Sequence, residues 1–201
     1  MSLAFLATTF VICLAPGIGV VYTLSVALAQ GLRGGLWAAL GCTLATLVHL
    51  GVAMAGLAAV LHSSAVLFQS VKFAGVAYLL WMAWGTLRST GGLQVQAATE
   101  AQPVARLVWR GIMLNLLNPK IPMFFMAFLP QFMAPTDGAL MMAELGAVFA
   151  AMTFAVFAGY AALAASGREA VLSRPAVTAW MRRLFAASFA ALGLRLALER
   201  A

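Results

Sequence analysis

Apolar stretches of about 20 residues recur along this chain, and that repetition constrains its fold more than any single motif. As a helix, a stretch of roughly 20 residues crosses a hydrocarbon core of roughly 30 Å. Of the 201 residues, 64% are apolar and only 8% are charged. A soluble domain carries close to a quarter charged residues on its surface. Twelve Lys and Arg with five Asp and Glu cannot cover one of this size. The chain therefore reads as an all-α integral membrane protein.

The apolar runs place six spans at about 4–28, 36–60, 65–87, 111–133, 139–165 and 181–198. The sixth is the weakest, being short and carrying Arg195 near one end. The first lacks a basic leader and continues past Pro16 and Gly17, so it reads as a retained span rather than a cleaved signal. Cys13 and Cys42 fall inside spans, where a packed free thiol is the simplest reading. The net charge of +7 does not imply a nucleic-acid partner, because the basic residues cluster in loops beside spans. Arg33, Arg88, Arg106, Arg110, Arg168, Arg174, Arg182 and Arg183 all belong to loops of one side. That side is expected to be cytoplasmic, which puts both termini outside.

The polar segment 88–110 holds Gly91, Gly92, Gln94, Gln96 and Pro103 and divides the chain into halves 1–87 and 111–201. Three spans per half reverse the orientation of the second half, the arithmetic of an inverted repeat. The first span of each half is interrupted, by Pro16-Gly17 and by Asn118-Pro119-Lys120-Ile121-Pro122. Proline removes a backbone donor and clashes with the preceding turn. The freed backbone groups belong against protein or a wet cavity, where they are able to hold a ligand. Half-helix N-termini favour a carboxylate and C-terminal carbonyls an ammonium, so two facing breaks suit the zwitterion of an amino acid. Each proline read alone is equally well a packing kink.

Pro16, Gly17, Asn118, Pro119 and Lys120 are the expected centre, with Asn115, Thr46 and His49 as polar support. Lys120 sits near the middle of span four, where a cation costs about 3 kcal/mol or more. It meets either a substrate carboxylate or the carbonyls that Pro119 and Pro122 release. His49 is either a proton relay or a hydrogen-bonded structural residue. Lys72, two turns inside span three, reads as a side chain reaching out to the interface. Trp81, Trp84, Trp109 and Trp180 fit interfacial belts.

Several blocks together resemble the LysE/RhtB family of amino-acid exporters. They are Ala15-Pro16-Gly17, Ala29-Gln30-Gly31 with Gly34-Gly35, and Leu40-Gly41 ahead of Val48-His49. Lys72-Phe73-Ala74-Gly75-Val76-Ala77-Tyr78-Leu79-Leu80 follows, then Gly111 through Asn115-Leu116-Leu117-Asn118-Pro119-Lys120, and Phe128-Leu129-Pro130-Gln131-Phe132. The resemblance implies six helices in the bacterial inner membrane, export from the cytoplasm and coupling to the proton gradient. Two departures stand out. Ile18 follows Pro-Gly where the family has a further proline. Ala45-Thr46 replaces a Gly-Asp or Gly-Asn pair, and a threonine hydroxyl hydrogen-bonds but does not titrate.

The leading expectation is a secondary exporter of an amino acid or a related small metabolite. Competing readings are a non-transporting membrane partner or regulatory subunit, or an exporter of another solute or a metal ion. Hard cations want intramembrane carboxylates, which this chain lacks. An enzyme needs a nucleophile with a positioned base or clustered metal ligands, and His49 and His62 have neither nearby in sequence. No cofactor fingerprint, metal site or catalytic residue is expected. Lipid and a small-molecule substrate are the expected partners, and the abundant small residues permit a homodimer without requiring one.

Overall fold

A computed structural model describes residues 1–14, 17–61, 102–118, 120–134 and 136–166, with single helical positions among 70–88 and 176–194. Most of spans three and six and of the linker, together with Pro16, Pro119, His62, Lys72 and Arg195, lies outside the described residues. Every regular element among the described residues is helical. In chain order these are α1 (Leu3–Leu14), α2 (Ile18–Leu61), α3 (Val104–Leu116), α4 (Lys120–Phe128), a 3-10 turn (Leu129–Phe132) and α5 (Ala139–Ala165). Ile18–Gly56 and Ala139–Ala165 are long and apolar enough to cross a membrane.

α1 has 12 residues, so it reaches roughly 18 Å, little more than half a hydrocarbon core. It needs the helix that restarts at Ile18 to complete a crossing. α2 is itself two helices joined at Gly31, whose φ of 69° and ψ of −172° are not helical. The missing Cβ makes that positive φ accessible without strain. The Cys42 thiol points at the Gly19 carbonyl (3.9 Å), and a Cβ on Gly35 would lie 2.7 Å from that of Ala27. Both pairs straddle Gly31, so segments 18–30 and 32–61 form an antiparallel hairpin. The sequence suggested a loop from 29 to 35, whereas the structure turns the corner on one glycine. Beside it the Gln30 carboxamide, oriented to match its neighbours, accepts from the Gln102 N–H (2.9 Å) and donates to the Gln102 carbonyl (3.2 Å). The end of the linker is thereby tied to the corner.

α3 runs beside segment 32–61, so close that a Cβ on Gly111 would lie 3.1 Å or less from Ala38 O, Cys42 N and Gly41 Cα. It begins at Val104, earlier than the apolar run that starts near 111. Its first turns are amphipathic: Leu107 is buried, while Arg106, Trp109 and Arg110 are exposed. Counting apolar residues therefore starts the helix too late. Pro103, extended at φ −64° and ψ 149°, supplies the boundary. Tyr22 donates its hydroxyl to the Leu107 carbonyl (2.8 Å), and the Arg110 guanidinium lies 5.8 Å from the Tyr22 ring centre. α5 occupies 139–165 as the apolar run suggests. It packs antiparallel to segment 32–61, with Ala161 against Gly35 and Gly146 against Leu50.

Two cores of different texture result. One is aromatic: Phe124 stacks on Phe149 and Phe128 (5.1 Å each), Phe125 meets Phe149 edge-on (5.0 Å), and Phe5 meets Phe132 likewise (5.2 Å). The other packs Ala27, Ala38, Ala39, Ala161 and Ala164 around Val20, Leu24 and Leu107. Lipid tails are as apolar as the side chains, so close backbone approach and dispersion carry this second contact. Trp81, Trp84, Trp109 and Trp180 are all exposed.

A methyl group at Gly41 would run into the Val108 carbonyl, whereas one at Gly56 meets nothing within 4 Å. Gly41→Ala should therefore destabilise the protein by about 1–3 kcal/mol. Gly56→Ala should be neutral or stabilising by up to about 1 kcal/mol. Thermal unfolding of the two variants in detergent checks the contrast.

Candidate functional site

The helices end at Leu14 and Leu116 and restart at Ile18 and Lys120, on either side of Pro16 and Pro119. Pro122, expected in the second interruption, instead lies within α4, where its missing N–H belongs to a first turn that has no helical acceptor. Each break leaves backbone groups without helical partners. After the first, the Val21 N–H reaches the Gly17 carbonyl (3.1 Å), so Gly17 starts the new helix. The N–H groups of the next three residues lack intrahelical acceptors. At the end of α1 the Leu14 carbonyl accepts the Tyr160 hydroxyl (2.9 Å), a cap delivered from α5. After the second break, α4 begins at Lys120.

The end of α3 is more heavily tied. In an unbroken helix the Asn115 carbonyl would accept from residue 119, but residue 119 is proline and has no N–H. Asn115 O instead accepts from the Asn118 N–H (3.1 Å) and from His49 Nε2 (3.2 Å). A carbonyl can only accept, so His49 carries a proton on Nε2. The Asn115 side chain reaches back to the same helix, donating from Nδ2 to the Cys42 carbonyl (2.8 Å). The Thr46 hydroxyl donates to that carbonyl too (3.3 Å). Asn115 is 2% exposed and His49 7%, so these bonds are shielded from water. The Asn118 amide then donates to Asn115 Oδ1 (3.3 Å).

Between the breaks lies a cavity of about 30 Å3. Gly17 and Gly19 come from the first break, and Asn115, Asn118 and Ile121 from the second. Ile12 and Cys13 close one side, while Phe149, Thr153 and Phe157 form a wall along α5. Those three recur at i, i+4 and i+8, one face of a helix. Thr153 donates to the Phe149 carbonyl (2.8 Å), so the Cys13 thiol is the donor in its 3.3 Å contact with Thr153. A Cβ on Gly19 would lie 2.9 Å from the Phe157 ring and 3.1 Å from Asn115 Oδ1. Only glycine lets the two breaks come this close.

Of the residues singled out from sequence, the structure brings Gly17, Asn115 and Asn118 to one cavity. Thr46 and His49 stand behind Asn115 and do not line the cavity; they act on it through Asn115 and Cys42. Pro16 and Pro119 lie outside the described residues, as does the Lys120 side chain, although the Lys120 backbone opens α4. Sequence reasoning missed Gly19, Cys13, Ile121 and the α5 wall. Gly19 had a signal, following Gly17 by two residues at a helix start. The Phe-Thr-Phe stripe had only its four-residue spacing, in a helix apolar all round.

Interrupted membrane helices whose ends meet at a buried polar centre are an architecture of transporters. The chain belongs to the LysE type translocator family, whose model matches residues 10–200. An uncharacterized membrane protein of Vibrio cholerae is 33% identical over 99% of this chain and 97% of its own length. A homoserine/homoserine lactone efflux protein of Salmonella typhimurium is 32% identical over 80% of this chain and 79% of its own. A leucine efflux protein of Klebsiella pneumoniae is 32% identical over 65% and 62%. No solved structure matches the chain significantly.

If His49 substitutes for the missing Pro119 N–H, His49→Ala leaves the buried Asn115 carbonyl with the Asn118 N–H alone and should cost about 0.5–1.5 kcal/mol. His49→Gln, which keeps an N–H donor, should recover most of that loss. Thermal unfolding of both variants in detergent measures the difference.

Proposed function

We propose that this protein is a secondary exporter that binds an amino acid between its two helix breaks and releases it on the far side of a bacterial inner membrane. The observation that carries the reading is the convergence of both breaks on one cavity in a LysE type translocator. The start of segment 18–30 and of α4 would face the carboxylate, the polarity that helix N-termini favour. Asn115 Oδ1 and the carbonyls ending α1 and α3 would face the ammonium. The names of the Salmonella and Klebsiella relatives add support, since both are efflux proteins for amino acids or a derivative.

The full architecture in this reading is six spans in two inverted halves of three, with 88–110 between them in the cytoplasm and both termini outside. The antiparallel hairpin about Gly31, α3 parallel to segment 32–61 and α5 antiparallel to it are consistent with that alternation. The cavity of about 30 Å3 has room for a water molecule or two and is too small for an amino acid. Loading therefore requires its walls to part, as alternating access demands. Coupling to protons would fall to His49, the one histidine within a proposed span. Small residues on the outer faces would accommodate a homodimer.

Lys120→Met should lower export to about a tenth of wild type or less, the loss of one charge-assisted contact. Membrane abundance should stay unchanged. The assay is efflux of a mixed isotope-labelled amino-acid pool from vesicles holding the purified protein, with and without a proton gradient. Selective release that Lys120→Met removes supports the reading. Folded wild-type protein that releases no amino acid contradicts it.

A further inference from the structure

We infer that the centre between the breaks takes a neutral amino acid with an apolar side chain, a reading that rests on the export function proposed above. The cavity is asymmetric. Among the described lining residues the two amides, Asn115 and Asn118, come from one break, while Ile12, Ile121, Phe149 and Phe157 supply apolar walls with Cys13, Thr153 and two glycines between them. These four are between 2% and 7% exposed, so a substrate side chain among them is out of water. Thr153 adds no donor on this side, because its hydroxyl proton is committed to the Phe149 carbonyl. The wall on α5 therefore presents hydrocarbon to the ligand.

Charge points the same way. The chain has five carboxylate side chains. Asp137 accepts from the Ala134 N–H (2.7 Å) in the turn before α5, and Glu144 is exposed. Glu100, Glu169 and Glu199 lie outside the described residues, in polar sequence between or beyond the proposed spans. Among the described residues no carboxylate lines the cavity, and an unpaired cation among the four apolar walls is strongly disfavoured. An anionic side chain against Ile12, Ile121, Phe149 and Phe157 meets hydrocarbon as well. Phe157 sets the length of the apolar subsite, since its ring lies directly against Gly19.

The test is efflux from vesicles of purified protein loaded with equal concentrations of labelled leucine, lysine and glutamate. Leucine should leave at least about tenfold faster than either charged amino acid, the penalty for a charge in an apolar site. Phe157→Ala should raise phenylalanine release relative to valine by about threefold or more, as an enlarged hydrophobic pocket does. Lysine release matching that of leucine overturns the inference while leaving export intact. A folded Phe157→Ala protein with the wild-type ratio overturns the role given to Phe157. Should that variant fail to fold, the wild-type comparison still decides the substrate class. No release of any of the three removes the export reading, and this inference with it.

Discussion

A helix broken inside a membrane survives only if its orphaned backbone groups find partners, and in this protein the hold on Asn115 meets that demand. Pro119 deprives the Asn115 carbonyl of its helical donor, and His49 provides a replacement from the neighbouring helix. The Asn115 amide returns the connection by bonding the Cys42 carbonyl. Two bonds of opposite direction thus fix one residue to segment 32–61, just beyond the point where Gly41 and Gly111 bring the backbones together. The close glycine crossing makes the bonds reachable, and the bonds in turn make the break tolerable. Tyr160 performs the corresponding service at the first break, on the Leu14 carbonyl.

The site sits on the seam between the two cores. On one side the aromatic cluster of α1, α4 and α5 fills space with large rings; on the other, alanines and glycines let helices approach closely. Ile12, Ile121 and Phe149 belong to the first core and Phe157 to the second. In the proposed transport cycle, the clamp on Asn115 would keep α3 moving with segment 32–61.

Much of this was legible in the sequence. Long apolar runs with few charges fix an all-helical membrane chain, and α5 occupies the very interval its run defines. Paired prolines mark both breaks, and the polar residues beside the second break identify Asn115 and Asn118. Other features were hidden for physical reasons. The amphipathic first turns of α3 look polar to a hydropathy reading because Arg106 and Arg110 share them with Leu107. The corner at Gly31 is shorter than any loop that Gly34 and Gly35 would suggest. Phe149, Thr153 and Phe157 share a face only once α5 is packed, and an all-apolar helix gives no sign of which face turns inward. Nor could sequence tell that His49 reaches a carbonyl, since its partner lies on another helix and the need arises from a proline four residues beyond that partner.

The central claim is that both breaks hold the same ligand, and thiol protection tests it most directly. Cys13 lies beside the first break, and Asn118→Cys puts a thiol at the second, each in a Cys42→Ala background. The account predicts that an exported amino acid slows methanethiosulfonate labelling of both thiols, while an amino acid that is not exported protects neither. Protection at one break alone, or at neither while export continues, would contradict a shared site.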